Sequence, residues 1–443
     1  MYESEFLQLV KEQSPWVSDW RAIEGDEKVA EALSREHRLL YRLEYTGNLL
    51  VVGPRRSGKT TLLKLLAYDL IVNRRVDSRR VVYVSCEPLY DHRDLIELFR
   101  LLDREGVRFI FLDEVTFVEG WEKAVKYYLD SKLRLGKVLY ATGSTTAFLK
   151  REPFPGRDIR VALHLPVEFR RFVELFADSS VKKALDNESK LRFHVDDLNY
   201  MLLKYLECGG FPELMYQLME EGRVRASSIE ALGEWIEGDV AKLGRSIRLA
   251  LCLLRGVVAR YGTRVSLSSL AKDFELGSHK VAREYLELLE EMLVLRQVLQ
   301  ADPPRRLVVP RRERKVYLTD PALYGMYLRR LLYRKLGQED IPKLIEGAVA
   351  EYLFRRYGEV YYSYQSGRET DFTLLDHPTG IEVKWQERIS ERDFSNPHLF
   401  KRRILVSRSQ LKQEGRVEIV PACMLLLRGR AHTLYHMDWR GWR

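Results

Sequence analysis

The sequence predicts an α/β protein whose amino-terminal half contains a parallel sheet. Two observations carry this prediction. Apolar runs at 48–52, 80–85 and 108–114 are typical of buried strands. A glycine-containing loop at 53–60 joins the first run to a helical segment that begins at Thr61. Because 443 residues exceed a single ordinary core, we expect several domains.

The bulk composition is typical of a soluble globular protein, with 46% hydrophobic and 31% charged residues. No apolar run approaches the roughly 20 residues that a membrane span requires. The opening residues, from Met1 to Glu5, contain neither a basic stretch nor a hydrophobic signal segment. We therefore expect a cytoplasmic protein with no membrane partner.

The chain is basic, with a formal net charge of +9. A basic surface favours an anionic partner such as nucleic acid, although it also serves solubility alone. The four cysteines, Cys86, Cys208, Cys252 and Cys423, lie far apart and predict neither a zinc ribbon nor a redox motif. Scarce asparagine beside abundant Arg, Glu and Lys is typical of heat-adapted proteins, and archaeal thermophiles provide examples.

The loop at 53–60 has the sequence of a phosphate-binding P-loop. Gly53 and Gly58 allow the backbone to curl, so that consecutive N–H groups and the positive end of the next helix face an anion. Lys59 would neutralise the β- and γ-phosphates, and the Thr60 hydroxyl would bind Mg²⁺. The residues expected to contact ATP or ADP are Gly53, Pro54, Arg55, Arg56, Ser57, Gly58, Lys59, Thr60 and Thr61.

Two acidic residues end the apolar run at 108–114. Asp113 would lie beside the P-loop and hold the Mg²⁺ shell, and Glu114 would orient and polarise the attacking water. The next apolar run, 137–144, ends in small hydroxyl residues. Either Thr142 or Ser144 would sense the γ-phosphate or position the water, or the hydroxyl would cap the following helix.

Five motifs together resemble those of archaeal and bacterial AAA+-type ATPases. They are the P-loop (Walker A), Leu112-Asp-Glu114 (Walker B), Ala141-Thr-Gly-Ser144, Gly156-Arg157 ahead of Leu165-Pro-Val-Glu-Phe169, and Gly209-Gly-Phe-Pro-Glu213. The resemblance implies an additional-strand P-loop core and, commonly, a C-terminal domain of the PD-(D/E)XK nuclease superfamily.

The resemblance also implies roles for individual residues of the core. Glu114 would be the catalytic glutamate, Thr142 or Ser144 the sensor, and Arg157 the arginine finger. Arg170 and Arg171 are alternatives to Arg157, and the finger would act within the chain or across a ring. The expected catalytic set is Glu114, Lys59, Arg157 and Ser144.

Helical spacing of apolar residues from about 180 to 247 predicts a helical lid. Gly209 and Gly210 interrupt this region, either as a helix break or as a nucleotide contact. From Ser266, a short helix, a glycine turn and a longer helix predict a helix-turn-helix, followed by a hairpin typical of a winged helix.

The winged helix would contact DNA or serve as a packing module inside the protein. In a DNA reader, the longer helix presents its first polar residues to the major groove and the hairpin grips phosphates. Ser278 and His279 are candidates on that helix. The residues expected to contact DNA most directly are Lys280, Arg283, Arg305, Arg306, Arg311 and Arg312.

The last segment predicts a helix followed by a strand hairpin. Asp371 begins one strand, and Glu382 and Lys384 share a face of the other. Carboxylates on adjacent strands chelate divalent cations, and a neighbouring lysine holds the attacking water. This is the arrangement of PD-(D/E)XK nucleases, with Glu346 as the helix acid and Glu369 as its substitute. Alternatively, the carboxylates only bind DNA or stabilise the sheet.

The predicted fold class is therefore an α/β P-loop ATPase core with a parallel sheet, a helical lid, a winged helix and a nuclease-like domain. The expected segments are an N-terminal helical extension at 1–40, the ATPase core at 41–178, the helical lid at 179–247, the winged helix at 248–328 and the nuclease-like domain at 329–443. Three functions are consistent with this order: a Mg²⁺-dependent ATPase that couples nucleotide state to DNA engagement, an ATP-licensed DNA endonuclease, or a nucleotide-stapled scaffold for a protein partner. The protein could also associate with copies of itself.

Overall fold

The computed structural model of the chain describes residues 2–41, 47–143, 154–432 and 434–436. The chain divides into two compact units. The first unit is Met1–Leu165 with His432–Arg443, and the second is Pro166–Ala431. The predicted division into five segments is finer than these two units and stays a prediction. Within the described ranges, no helix has both the length and the apolar composition needed to cross a bilayer.

The first unit alternates strands and helices. Its elements are α1 (Glu3–Gln13), α2 (Glu27–Ser34), β1 (Asn48–Val52), α3 (Lys59–Tyr68), β2 (Val81–Ser85), α4 (His92–Arg104), β3 (Phe109–Asp113), α5 (Trp121–Asp130), β4 (Val138–Gly143) and β5 (Ile159–Leu163). The strands predicted from apolar runs are confirmed to within two residues at each end. They form because short, uninterrupted apolar runs bury both faces of a parallel sheet.

The five strands lie in the order β5-β1-β4-β3-β2 and are all parallel. Strand β4 therefore separates β1, which leads into the P-loop, from β3, which ends in Asp113. This is the additional-strand order that the resemblance implies. Because all five strands are parallel, their carboxyl ends meet at one edge of the sheet, where α/β proteins bind ligands.

The amino-terminal segment covers the open edge of strand β2. The indole Nε1 of Trp16 donates to the carbonyl of Val81 at 2.8 Å. The Ser14 hydroxyl donates to the Tyr83 carbonyl at 2.7 Å and accepts from the Tyr83 N–H at 2.8 Å. These side chains satisfy backbone groups that an edge strand otherwise leaves open to pairing with another chain. The segment is thus part of the first unit and shares its core through Trp16.

The second unit begins with a run of helices. They are α6 (Phe169–Phe176), α7 (Ser179–Ala184), α8 (Glu188–Leu191), α9 (Val195–Cys208), α10 (Pro212–Glu221), α11 (Ala226–Lys242), α12 (Ile247–Ala259), α13 (Leu267–Asp273) and α14 (His279–Glu291). The region predicted to be a helical lid contains α7 to α11. Helix α14 begins at the predicted cap, because the Ser278 hydroxyl accepts from the N–H of Val281 at 3.3 Å.

The break at Gly209 and Gly210 is a packing feature of the second unit. The N–H of Gly210 donates to the Asp320 carboxylate at 2.8 Å, and the N–H of Val167 donates to the Gly210 carbonyl at 2.7 Å. A β-carbon on Gly210 would lie 2.1 Å from the Val167 carbonyl oxygen. Of the two predicted roles, the structure therefore favours the helix break, since protein atoms occupy both faces of this backbone.

A mixed sheet completes the second unit. Its elements are β6 (Leu295–Asp302), β7 (Leu307–Val308), β8 (Arg314–Leu318), α15 (Pro321–Leu332), α16 (Ile341–Tyr357), β9 (Tyr361–Gln365), β10 (Arg368–Leu374), β11 (Thr379–Val383), β12 (Arg402–Ser407), β13 (Lys412–Glu414), β14 (Val417–Pro421) and α17 (Ala422–Leu426). The final strand, β15 (Tyr435–His436), belongs to the first unit, where it pairs with β5.

The second sheet joins the predicted winged-helix hairpin to the predicted nuclease-like strands. The order is β13-β14-β12-β11-β10-β9-β6-β7, with β8 on the same side of β6 as β7. Strands β6 and β9 are parallel neighbours, with Leu299 opposite Tyr361. The two segments expected on either side of residue 328 thus share one continuous sheet.

Candidate functional site

The P-loop lies between β1 and α3 and has the backbone that its glycines predict. Gly58 precedes α3 with a φ of 100°, and Arg56 adopts a φ of 62°. Both values lie in the left-handed region, which turns the chain back over the first turn of the helix. The loop therefore directs the N–H groups at the start of α3 toward its own concave side.

His164, the residue after β5, supports the P-loop from behind, and sequence reasoning missed it. A β-carbon at Gly53 would lie 2.1 Å from the His164 carbonyl oxygen, so only glycine fits at this position. The ring Nδ1 of His164 lies 3.2 Å from the Ser57 hydroxyl. Burial and the nearby charge of Lys59 lower the pKa of His164 from 6.5 to about 3. The imidazole is therefore neutral near neutral pH.

Asp113, which is only 3% exposed, gathers three hydroxyl groups from three elements. Thr60, at the start of α3, donates to Oδ2 at 2.6 Å. Tyr83, on β2, donates to the same oxygen at 2.9 Å. Thr142, on β4, donates to Oδ1 at 2.5 Å. Of the two hydroxyl residues predicted near this site, Thr142 lies in it, and Ser144 lies outside the described residues.

Glu114 and Lys59 face each other next to this carboxylate. The Lys59 ammonium lies 4.0 Å from a carboxylate oxygen of Glu114 and donates to the carbonyls of Gly53 and Pro54 at 3.1 and 3.0 Å. Glu114 has a φ of 52°, and its N–H donates to the Thr142 hydroxyl at 2.9 Å. Thr142 thus fixes both acidic residues, which places a charged pair beside the P-loop.

The donor set fits Mg²⁺ and a polyphosphate. Thr60 and Asp113 supply a hydroxyl and a carboxylate oxygen within 2.6 Å of each other, and Mg²⁺ prefers oxygen ligands of this kind. On the same loop, the Arg55 guanidinium lies 5.3 Å from the centre of the Phe117 ring. Thr61 follows Thr60 in the first turn of α3. The predicted nucleotide-contacting residues are therefore assembled on one loop and one helix turn.

The predicted arginine finger lies at the other edge of the sheet. Arg157 precedes β5, and Ile159 at the start of that strand is opposite Asn48 at the start of β1. The P-loop follows the carboxyl end of β1, so Arg157 cannot contact it within one chain. Its guanidinium instead pairs with Asp130 at 2.8 and 2.9 Å.

The two alternatives to Arg157 lie in the second unit, on helix α6. Arg170 is 7% exposed and bonds to Glu174 and Asp186, as well as to the Leu427 carbonyl at 2.7 Å. Arg171 pairs with Glu174 at 3.0 Å. Both guanidinium groups therefore have local anionic partners.

The carboxylates predicted to form a nuclease metal site are arranged differently from the expectation. Glu346, Glu369 and Asp371 surround the ammonium of Lys315, a residue of strand β8. Glu382 instead accepts from the N–H of Ser395 and lies 3.6 Å from the Lys384 ammonium. Across the described ranges, no cluster of three or more His, Cys, Asp or Glu side chains is placed to hold a metal ion.

The predicted DNA-contacting residues are all exposed. They lie near the start of α14 and along the turn between β6 and β8, and they are Lys280, Arg283, Arg305, Arg306, Arg311 and Arg312. Arg283 approaches Arg314 closely enough for its charge to lower the pKa of Arg314, after the larger effect of burial. The first turns of α14 therefore lie near strand β8 of the hairpin.

Two segments of the chain match models of known protein families. Residues 46–173 match the family model AAA_14, described as an AAA domain, and residues 199–334 match a domain of unknown function, DUF8612. An uncharacterised protein from Haemophilus influenzae is 24% identical over 365 residues, covering 77% of this chain and 83% of its own.

Two solved structures are similar to parts of the chain. A point variant of RuvB from Thermotoga maritima covers 65% of this chain and 88% of its own, with 16% identity and a TM-score of 0.31. PCH-2 from C. elegans covers 62% and 69%, with 18% identity and a TM-score of 0.20. The family match and the strand order of the first sheet together support a P-loop ATPase core in this part of the chain.

The neutral state of His164 predicts a pH dependence of stability. The unfolded chain binds a proton at this residue near pH 6.5, whereas the folded protein resists protonation down to about pH 3. The free energy of unfolding should therefore fall as the pH is lowered through this window, by at most about 1.4 kcal/mol per unit. His164→Asn lacks this titration, so the stability difference between wild type and variant should shrink as pH falls.

Urea unfolding of both proteins at a series of pH values between neutral and mildly acidic measures this difference. Acidic residues elsewhere titrate equally in the two proteins and cancel in the comparison. A difference that stays constant with pH would show that the imidazole is not held neutral.

Proposed function

We propose that the protein is a Mg²⁺-dependent ATPase whose active site is the carboxyl edge of the first sheet. One observation carries this proposal: the Asp113 carboxylate joins Thr60 of the P-loop helix to Thr142 of β4, and Glu114 follows it in sequence beside Lys59. These are the groups that phosphoryl transfer from ATP to water needs, namely a cation for the phosphates, a ligand pair for Mg²⁺ and a base for water.

Each residue has one task in this proposal. The loop N–H groups and Lys59 bind the phosphate chain, and the Lys59 ammonium exchanges the carbonyls of Gly53 and Pro54 for phosphate oxygens. Thr60 and Asp113 hold Mg²⁺, which neutralises charge on the β- and γ-phosphates when it is bound. Glu114 accepts a hydrogen bond from the attacking water, and Thr142 keeps Glu114 and Asp113 in register through its single hydroxyl.

Arg157 enters this proposal only as a residue supplied to another copy of the chain. Its position at the amino end of β5 removes it from its own P-loop, while about 28% of its side chain is exposed. A homo-oligomer in which Arg157 leaves Asp130 for a neighbouring nucleotide would give it the finger role. Because of the strand register, that role is not proposed within a single chain.

Substitutions at Glu114 and Lys59 separate chemistry from binding. Glu114→Gln keeps the size of the side chain but removes the base, so kcat for ATP should fall by about 10²–10⁴ while ATP still binds. Lys59→Ala should lose both binding and turnover. Phosphate release and ATP titration calorimetry measure the two quantities. The matched controls are the exposed first-unit residues Glu105 and Lys132, as Glu105→Gln and Lys132→Ala.

Full turnover in Glu114→Gln would contradict the assigned base. Tight ATP binding by the wild type without any turnover would contradict the ATPase proposal and support nucleotide as a structural staple.

We further propose that nucleotide state is coupled to DNA engagement by the second unit. The order α12, α13, α14 and hairpin β6–β8, with a bridge between Val265 and Arg314, supports the winged helix of this proposal. The exposed cations on α14 and the hairpin turn support a duplex phosphate surface, as does the net charge of +9. Coupling of this kind is reciprocal, so DNA that raises ATP affinity must itself bind more tightly with ATP present.

The hairpin arginines predict a salt dependence. A double variant, Arg305→Ala with Arg306→Ala, removes two phosphate contacts, so the plot of log affinity against log salt should become shallower by about 2. Fluorescence anisotropy with a labelled duplex measures the slope. The control is Arg223→Ala with Arg225→Ala, because these arginines are exposed between α10 and α11 of the same unit. Equal slopes for wild type and the hairpin variant would place the DNA elsewhere.

A further inference from the structure

Lys315 is the most completely buried charged group of the second unit's carboxylate cluster. Its side chain is 1% exposed, although it belongs to β8 of the basic hairpin. The ammonium lies 2.6 Å from Glu346, 2.9 Å from Glu369 and 3.1 Å from Asp371. An ammonium has three N–H donors and no acceptor, so these three carboxylates satisfy it fully.

The rest of the cluster is built around this ammonium. The Tyr317 hydroxyl donates to the same Glu346 oxygen that Lys315 contacts. Arg264 pairs with the second oxygen of Glu369 at 3.0 Å and lies 3.6 Å above the Tyr364 ring. The second oxygen of Asp371 accepts from the N–H of Val383 at 2.9 Å. Each carboxylate therefore has protein partners beyond the lysine.

The charge balance also favours the lysine. The Lys315 ammonium and the Arg264 guanidinium together balance two of the three carboxylate charges of the cluster.

A divalent cation does not fit these residues as they stand. Mg²⁺ requires oxygen ligands at about 2.0–2.1 Å in near-octahedral geometry, which would place it within about 5 Å of the buried ammonium. Two cations so close in a buried site repel each other strongly. The remaining acid of the predicted site, Glu382, is turned toward Ser395 and Lys384. The three clustered carboxylates therefore already have cationic partners, Lys315 and Arg264, within the chain.

We infer that Lys315 takes the place of the metal ion in the nuclease-like site, so that this cluster joins the basic hairpin to the C-terminal sheet and does not cleave DNA. The same three carboxylates that would chelate a metal instead anchor β8 to α16 and β10. The pairing of β6 with β9 makes the second link between these segments. The arginines of the hairpin turn are consequently presented from a fixed sheet.

If Lys315 replaces the metal ion, the protein should not cleave DNA when Mg²⁺ or Mn²⁺ is supplied without ATP. Supercoiled plasmid incubated with Mg²⁺ or Mn²⁺ should be nicked no faster by the wild type than by Asp371→Asn. Nicking by the wild type that Asp371→Asn abolishes would overturn the inference. This arm does not depend on ATP turnover, so its outcome is separate from that of the ATPase proposal.

Removing the Lys315 ammonium should allow the three carboxylates to bind a divalent cation. Lys315→Met keeps the length of the side chain but leaves three carboxylates without their ammonium. Counted by electron paramagnetic resonance, it should bind one more Mn²⁺ than the wild type, and the added Asp371→Asn change should abolish the gain. A folded Lys315→Met protein with no extra Mn²⁺ would overturn the inference.

If Lys315→Met fails to fold, wild type and Asp371→Asn are compared directly by the same count. Equal Mn²⁺ binding supports the lysine-held cluster, and an additional ion in the wild type overturns it.

Discussion

The proposed nucleotide site of the first unit depends on the hydrogen bonds that satisfy one buried carboxylate. Asp113 has little contact with water, so its charge must be satisfied by hydrogen bonds from the protein. The three hydroxyls that do this come from α3, β2 and β4, and they meet only because β4 lies between β1 and β3. The strand order, the P-loop helix and the acidic strand end are therefore one arrangement, and the Mg²⁺ and phosphate chemistry proposed here is a consequence of it.

The amino-terminal segment belongs to this arrangement through Tyr83. Ser14 fixes the Tyr83 backbone from the open edge of β2, and the Tyr83 hydroxyl fixes Asp113. Asp26 holds Lys64, whose ammonium lies 5.0 Å from the centre of the same tyrosine ring. A segment that the sequence marks only as a helical extension thus reaches the proposed magnesium site through Tyr83, directly from Ser14 and by way of Lys64 from Asp26.

Short sequence patterns predicted those features that depend only on residues close together in the chain. The P-loop, the strands and Asp113 were predicted because apolar runs and glycine positions specify backbone over a few residues. His164, Tyr83 and Lys315 were missed because their partners lie 107, 30 and as many as 56 residues away. The position of Arg157 could have been predicted. A residue that precedes a parallel strand lies at the amino end of the sheet, away from the P-loop at the carboxyl end. The nuclease-like motif named the three clustered carboxylates, but it also named Glu382, which lies against Ser395, and it did not predict the cation of Lys315.

The most direct test of the central claim is the Mg²⁺ dependence of ATP binding, measured by titration calorimetry on wild type and Asp113→Ala. If Thr60 and Asp113 hold the ion, Mg²⁺ should tighten ATP binding to the wild type by about tenfold or more, which corresponds to about 1.4 kcal/mol. The variant should bind ATP equally with and without Mg²⁺. Wild-type affinity that is indifferent to Mg²⁺, or an undiminished Mg²⁺ effect in Asp113→Ala, would contradict the account.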